Sequence, residues 1–269
     1  MSSPIITEGD DIDFAPRTSL PAHFTYWRFP IPDSFAVSPA GHPNTLRLKP
    51  SVLNLTALNG NYAGPTGQTF VGRRQQDTLF TYSVDLDFSP SVQEEEAGVT
   101  VFLTQNHHLD MGVVMLPANS STAAFPGTNR TVTNSTVLAP HIRFRGISYI
   151  PVPDPVVVPL PTGWADGTLR LEIKASNATH YAFSVGPADA MSEMRTILYA
   201  SNAAVSWGFT GKSGTMEISR LRGRDFLTDY SACRHDSWHL QYEQWRTGKD
   251  GGLLLEVVVH APGTVPVVI

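Results

Sequence analysis

The feature that most constrains the fold is a run of strict alternation in the first third of the chain. Between residues 79 and 88 every second side chain is large and apolar, and most of the positions between them are polar. The apolar positions are Phe80, Tyr82, Val84, Leu86 and Phe88. Alternation of this length on aromatic and aliphatic residues predicts a half-buried β-strand. The fold must therefore contain a sheet with one covered face.

Further strand-like runs follow the polar loop at 89–98, and together they define an all-β chain. Two lie at 99–104 and 111–116, and we interpret residues 70–117 as three antiparallel strands of a central sheet that the rest of the chain covers. Later runs of the same kind lie at 141–145, 156–160, 168–174, 179–185, 197–200 and 203–209. No long helical pattern precedes residue 211. Short strands separated by Gly, Pro and Asn turns predict a β-sandwich or barrel.

Composition narrows the possible functions. The chain has 269 residues and 41% hydrophobic residues, enough for one large all-β domain or two small ones. A net charge of -5 provides no basic surface for nucleic acid, and no apolar run is long enough to span a membrane. The single cysteine, Cys233, excludes an internal disulfide and a cysteine metal cluster.

Glycosylation sequons are more frequent than chance predicts. Five Asn-X-Ser/Thr motifs are present, where roughly two would occur by chance. Their asparagines are Asn54, Asn119, Asn129, Asn134 and Asn177. This excess fits an ancestor of secreted type, although residues 1–11 lack the basic and apolar regions of a signal peptide. The localisation of this chain therefore stays open.

Acidic residues offer one candidate pair and one run of three for general acid–base chemistry. Asp85 and Asp87 share one face of the predicted strand, and Glu94, Glu95 and Glu96 follow in the next loop. Glycoside hydrolysis needs two carboxylates on either side of the scissile bond. Side chains two apart on a strand are more typical of a solvated face or of hydrogen-bond partners, and the glutamates favour a solvated turn. We assign no catalytic residue.

Histidines do not form a convincing metal site. His107 and His108 are adjacent, so a continuing strand would point them to opposite faces. His235 and His239 have the spacing of a zinc-binding helix, but the motif HDSWH lacks the glutamate of HExxH. We expect no metal and no cofactor.

Aromatic residues supply the candidates for carbohydrate contact. Trp27 lies in a cluster with Tyr26 and Phe29 that favours a core plug at the edge of the domain over a stacking platform for sugars. Tyr62 and Trp164 complete the candidate set.

Several motifs in order resemble one known module. FVGRRQ at 70–75, LDFSP at 86–90, EEEAGV at 94–99 and LTQNHHLDMGVV at 103–114 resemble the C-terminal β-sandwich of glycoside hydrolase family 43, in its fungal form. This is the family of β-xylosidases and α-L-arabinofuranosidases, and the resemblance extends from about Asp10 to Gly211. It implies a concanavalin A-like jelly-roll β-sandwich. It also implies a partner, because the family carries its catalytic carboxylates on a five-bladed propeller domain that these residues do not contain.

Three functions remain open on this basis. The resemblance favours an accessory module of a glycosidase that acts on xylan- or arabinoxylan-type glycosides, inactive without its propeller. The alternatives are an active β-xylosidase or arabinofuranosidase, and a free-standing module that binds xylan or arabinoxylan oligosaccharides.

The C-terminal part departs from the family pattern. We divide the chain into an N-terminal extension or linker at 1–24, a β-sandwich module at 25–211 and an aberrant tail at 212–269, which we expect to be irregular. Back-translation allows a splice donor at 211–213 and an acceptor at 233–234, and excision there shifts the reading frame so that later codons can encode the family's closing strands. We hypothesise that 212–233 is translated intron and that 235–269 is read out of frame. A sandwich without its closing strands exposes sheet edges, so we expect a module less stable than its parent.

Overall fold

The protein is built almost entirely from β-strands. The computed structural model describes residues 11–51, 53–55, 68–75, 77–129 and 134–206, and the backbone alone of 254–260 and 267–268. Within them the helical elements are three short 3-10 turns, at Ala118–Ser120, Met191–Glu193 and Asn202–Val205. The strands are β1 (Phe24–Thr25), β2 (Phe35–Val37), β3 (Leu46–Leu48), β4 (Phe70–Arg74), β5 (Phe80–Leu86), β6 (Glu96–Thr104), β7 (His107–Pro117), β8 (Leu138–Ile147), β9 (Val156–Pro159), β10 (Leu169–Ala175), β11 (His180–Pro187), β12 (Arg195–Ser201), β13 (Leu254–His260) and β14 (Val267–Val268).

These strands form three antiparallel sheets. A seven-stranded sheet has the order β1-β4-β13-β6-β7-β8-β9, and a four-stranded sheet has the order β12-β11-β10-β5. A small third sheet has the order β14-β3-β2. Consecutive strands of the two larger sheets are joined mainly as hairpins, as in β6–β7–β8–β9 and β10–β11–β12.

The core lies between the two larger sheets. Alternate residues of β6, β7 and β8 face alternate residues of β10 and β11, and all belong to one buried apolar cluster. Phe144 of β8 and Phe183 of β11 join the sheets directly, with ring centroids 5.1 Å apart. Burial of each large apolar side chain contributes about 1.5–3 kcal/mol. The prediction of an all-β sandwich is confirmed.

The prediction that residues 70–117 form one central sheet is wrong for β5. This strand pairs with β10 in the four-stranded sheet, from Leu86 opposite Leu169 to Phe80 opposite Ala175. The connection at 87–95 carries the chain across to β6 in the seven-stranded sheet. Alternation specifies which face of a strand is covered, but it does not specify the partner strand, and for this reason the sequence pattern could not separate β5 from β6.

A strand also forms in the predicted tail. The backbone of β13 lies between β4 and β6, and Val257 is opposite both Val71 and Val99. The sequence pattern predicts no strand in this region. The seven-stranded sheet is continuous only because β13 fills the position between β4 and β6.

The connections divide between two ends of the sandwich. The strand registers place the turns at 105–106, 148–155 and 176–179 together, and we call this the hairpin end. The connections at 87–95, 160–168 and 188–194 and the described residues between β7 and β8, 118–129 and 134–137, lie at the opposite end, which we call the loop end.

Candidate functional site

The outward face of the seven-stranded sheet carries ionised side chains that are nearly buried. Glu96 of β6, Asp110 of β7 and Arg143 of β8 are only 7%, 8% and 8% exposed. Their core-facing neighbours along each strand are apolar, so alternation turns these charged residues away from the core. Because burying a charge is costly unless it is paired, the hydrogen bonds of these three groups decide what the cluster can do.

Glu96 accepts hydrogen bonds from two guanidinium groups. Arg143 donates from Nε to Glu96 Oε1 at 3.2 Å and from Nη2 to Oε2 at 2.6 Å. Arg145 donates from Nη2 to the same Oε2 at 2.6 Å. Arg143 also donates from Nη1 to Glu94 Oε2 at 2.7 Å. Bidentate, charge-assisted bonds of this kind are the strong class of protein hydrogen bond, and they connect β6 to β8.

A pair of glycines makes room for this connection. Gly98 of β6 and Gly112 of β7 are directly opposite each other, and Arg143 of β8 is opposite Gly112. Arg143 therefore reaches Glu96 across a part of β7 that bears no side chain. A Cβ atom on Gly112 would lie 2.7 Å from the Ala97 carbonyl oxygen and 3.3 Å from Cγ of Glu96.

A second branch of the cluster is centred on Asp110. Its Oδ1 accepts from the Thr100 hydroxyl at 2.6 Å and lies 2.9 Å from Nδ1 of His108. Among the described residues, Nε2 of His108 and Nε2 of His141 are buried without a hydrogen-bond partner.

At Glu96 and Asp110, pairing with charged and hydrogen-bonding neighbours lowers the pKa by more than burial raises it. Burial alone would raise the pKa of Glu96, but the charges of Arg145 and Arg143 and the Arg143 hydrogen bonds hold it below its usual value. Burial would likewise raise the pKa of Asp110, but His108, Arg145 and the Thr100 hydrogen bond lower it. Both groups therefore stay ionised and cannot serve as proton donors near neutral pH. The cluster joins three strands and does not resemble an acid–base pair.

The prediction of a solvated turn at Glu94, Glu95 and Glu96 is wrong for the last two. Glu95 is fully buried, and its Oε2 accepts from the backbone N–H groups of Ser91 and Val92 at 2.6 and 2.9 Å. Glu96 is held by the two arginines. Local sequence could not reveal this, because the arginine partners lie in β8, and only the register of β6, β7 and β8 brings them to Glu96.

Asp85 and Asp87 do not form a catalytic pair. Both carboxylate oxygens of Asp85 accept from the guanidinium of Arg170 at 2.6 Å, across the β5–β10 pair. Asp87 is exposed just beyond the end of β5. These are the hydrogen-bonded and solvated environments that the sequence favoured.

The candidate carbohydrate contacts have different surroundings. Trp27 is 9% exposed and packs edge-on against Phe102 at 4.9 Å, in an apolar cluster on the outward face that also contains Leu55 and Phe70. Its ring offers little surface for stacking against a sugar. Trp164 is half-buried against Phe125, and its Nε1 donates to Glu193 at 3.1 Å. Tyr62 lies outside the described residues.

The adjacent histidines have separate partners. His107 lies 3.1 Å from the Thr104 hydroxyl and packs edge-on against Tyr149, whereas His108 bonds to Asp110. Burial, followed by the charge of His108, lowers the pKa of His107. The described residues contain no group of three or more His, Cys, Asp and Glu side chains that could hold a metal ion. His235, His239 and Cys233 lie outside the described residues.

A cleft of about 230 Å³ opens at the loop end. Apolar residues including Leu86, Phe88, Met115 and Leu160 line it together with polar groups, among them the carboxylate of Asp166. The described part of the chain has no helix long and apolar enough to cross a membrane.

Comparison with known proteins identifies the module. The family model for the β-xylosidase C-terminal concanavalin A-like domain matches residues 11–219. The non-reducing end α-L-arabinofuranosidase BoGH43B of Bacteroides ovatus is 30% identical over 102 residues, which are 38% of this chain and 17% of that protein.

Solved structures of similar fold cover the whole chain but extend well beyond it. Bacteroides ovatus GH43B from a xyloglucan PUL has a TM-score of 0.58 at 20% identity and aligns with 98% of this chain and 39% of its own. The xylan β-1,4-xylosidase of Bacillus halodurans has a TM-score of 0.55 at 11% identity, covering 100% of this chain and 39% of its own. This protein thus spans about two fifths of the length of these structures. It belongs to the family of β-xylosidase C-terminal concanavalin A-like domains and is the C-terminal β-sandwich module of glycoside hydrolase family 43.

Proposed function

We propose that this chain is a non-catalytic accessory module, and that it packs against the five-bladed propeller domain of a family 43 glycosidase. The propeller supplies the catalytic carboxylates, either within a longer polypeptide or as a separate one. The substrates are xylan- or arabinoxylan-type glycosides, a class supported by relatives that are named as an arabinofuranosidase and a xylosidase. No cofactor enters this function.

The observation that carries the proposal is the extent of the family match. The match covers residues 11–219, which contain strands β1 to β12, while the similar solved structures are much longer than this chain. The activity named for those proteins therefore belongs to polypeptides in which this module is only one part.

The carboxylates of the sandwich support the same proposal. Inverting glycosidases hold an acid and a base about 6.5–9.5 Å apart, with room between them for a water molecule. On the two large sheets Asp85, Glu96 and Asp110 are instead bonded to arginine, histidine or threonine side chains. The pKa values of Glu96 and Asp110 are lowered, whereas a catalytic acid needs a raised pKa.

Association with a propeller tests the proposal. The full chain and a family 43 propeller domain from the same source are produced separately, mixed and separated by size-exclusion chromatography. We expect them to elute as one complex, with a higher melting temperature for the sandwich than in its absence. Separate elution together with an unchanged melting temperature would contradict the proposal.

A second candidate function is direct binding of xylan. It is favoured by Trp164, which is half-buried within the connection at 160–168, whose neighbouring residues Ala165 and Asp166 line the cleft at the loop end. Affinity electrophoresis in a gel containing xylan tests it. Retardation of the chain that is lost in Trp164→Ala and restored in Trp164→Phe would support binding, and equal mobility with and without xylan would exclude it. Trp27→Ala is the less informative variant, because it removes a buried ring.

A further inference from the structure

We propose that Asn177, at the tip of the β10–β11 hairpin, is a site of N-linked glycan attachment, and that the folded structure excludes a glycan at Asn54. This modification is independent of the proposed function, because it requires neither a propeller nor xylan. The sequons alone do not distinguish Asn177 from Asn54. The distinction comes from the environment of each asparagine.

The side chain of Asn177 is oriented by its own sequon. Its Oδ1 accepts from the N–H of Thr179 at 2.9 Å, from the hydroxyl of Thr179 at 2.8 Å and from the N–H of His180 at 2.9 Å. This is an Asx turn that uses the carbonyl side of the amide. Nδ2, the atom to which a glycan attaches, makes no hydrogen bond with any described residue and is left facing solvent.

The hairpin tip also has space for a glycan. Residues 176–180 are all exposed. Asn202 fixes the turn from below, because its Nδ2 donates to the Ala178 carbonyl at 2.7 Å and its N–H donates to the Thr179 carbonyl at 3.0 Å. A sugar on Nδ2 would extend from the hairpin end without displacing any of these bonds.

Asn54 is in the opposite situation. Its residue is only half-exposed, and its backbone carbonyl accepts from Nε2 of Gln68, which is itself buried, at 2.7 Å. The next residue, Leu55, is 3% exposed in the apolar cluster that contains Trp27. A glycan here would have to separate this segment from the outward face of the sheet.

The reaction is a group transfer to the asparagine amide. Nδ2 forms a bond to the anomeric carbon of a lipid-linked oligosaccharide, the bond from that carbon to the lipid pyrophosphate breaks, and one proton leaves the nitrogen. No electrons are exchanged with an oxidant or a reductant. The Thr179 hydroxyl that bonds to Oδ1 is the group that makes this asparagine a sequon.

Peptide mapping of the full chain, expressed behind a secretion leader in a eukaryotic host, tests the proposal. Enzymatic deglycosylation in ¹⁸O-water marks each formerly modified asparagine by its mass. We expect the mark on Asn177 and its absence from Asn54. An unmarked Asn177 in the secreted, folded chain would overturn the proposal, and so would a marked Asn54.

Variants separate sequon chemistry from misfolding. Asn177→Gln and Thr179→Ala should each remove the mass of one glycan from the intact protein, whereas Thr179→Ser keeps the sequon and should keep the glycan. Asn54→Gln should leave the intact glycosylated mass unchanged except for the substitution. If Thr179→Ala retained the full glycan mass, Asn177 would not be the attachment site. Peptide mapping of the unsubstituted chain shows whether Asn177 carries a glycan without relying on any variant.

Discussion

Glu96 is the residue on which the outward face of the seven-stranded sheet depends most. It is 7% exposed and is the shared counter-charge of Arg143 and Arg145. Removal of one member of a buried ion pair leaves the others desolvated without compensation. We therefore interpret the Glu96 carboxylate as a structural counter-charge for the two arginines.

We predict that Glu96→Gln lowers the free energy of unfolding by about 3–5 kcal/mol, the cost of breaking a buried ion pair. Urea denaturation at pH 7 measures it. Asp85→Asn is the matched control, because Asp85 and Arg170 are bonded with similar geometry but are 43% and 28% exposed. Exposed pairs contribute only about 0.2–1 kcal/mol. Equal losses in the two variants would contradict the role given to Glu96.

We also predict that the protein loses stability in acid through Glu96 and Asp110. Both carboxyl groups have a lowered pKa in the folded state, so their contribution is fully present above the unfolded pKa values of about 4.3 and 3.9. This stabilising contribution is lost as the pH falls from the unfolded pKa values through the lower pKa values of the folded state. Urea midpoints measured between pH 7 and pH 3 should therefore decrease most steeply below about pH 4.5.

In the double variant Glu96→Gln and Asp110→Asn, the urea midpoint should fall much less below about pH 4.5 than it does in the unsubstituted protein. Histidines add a shallower loss at higher pH, because burial lowers the pKa of His107 and His141. Below about pH 6.5 the unfolded chain binds protons at these positions that the folded chain does not. An unchanged acid dependence in the double variant would show that other groups are responsible.

At the scale of elements, the glycine pair of β6 and β7 sets how closely these strands approach. We predict that Gly112→Ala destabilises the protein by about 1–3 kcal/mol, the usual cost of overpacking, because its Cβ would meet the Ala97 carbonyl oxygen at 2.7 Å. Gly167→Ala is the control, since nothing lies within 4 Å of its Cβ position. Thermal denaturation compares the two, and equal melting temperatures would contradict this packing account.

Several strands were predictable from sequence, whereas strand partners were not. The sequence did not predict β13, and where it predicted a strand at 203–209 the described residues form the 3-10 turn Asn202–Val205. The alternation at 168–174 predicted β10 to within one residue, because its apolar residues face the core and its charged residues face away. β5 was recognised equally well but was assigned to the wrong sheet. The Glu96–Arg143 pair depends on that same missing information, since two strands must be in register before a charge on β6 can meet one on β8.

At the scale of the whole molecule, β13 shows what the sandwich requires of its C-terminal part. β4 and β6 are parallel to each other and separated by one strand, so some segment must complete the sheet between them. Without it, two rows of backbone N–H and C=O groups would be exposed as edges. The family model matches residues 11–219 and stops before β13.

The reading-frame hypothesis for residues 212–269 has a direct test. Sequencing of the cDNA across codons 211–234 should reveal a mature transcript that lacks the segment encoding 212–233. Its shifted frame should then encode aromatic and apolar closing strands in place of 235–269. A mature message that retains the whole segment would contradict the hypothesis.

We propose that this module does not catalyse glycoside hydrolysis by itself, and an activity assay tests this most directly. The purified chain is incubated with nitrophenyl β-xyloside and with nitrophenyl α-L-arabinofuranoside, and a full-length family 43 enzyme serves as the positive control. We predict that nitrophenol release by the chain equals that of buffer, because Asp85, Glu96 and Asp110 are engaged in structural pairs. Release that rises in proportion to the concentration of the chain and survives further purification would contradict the claim.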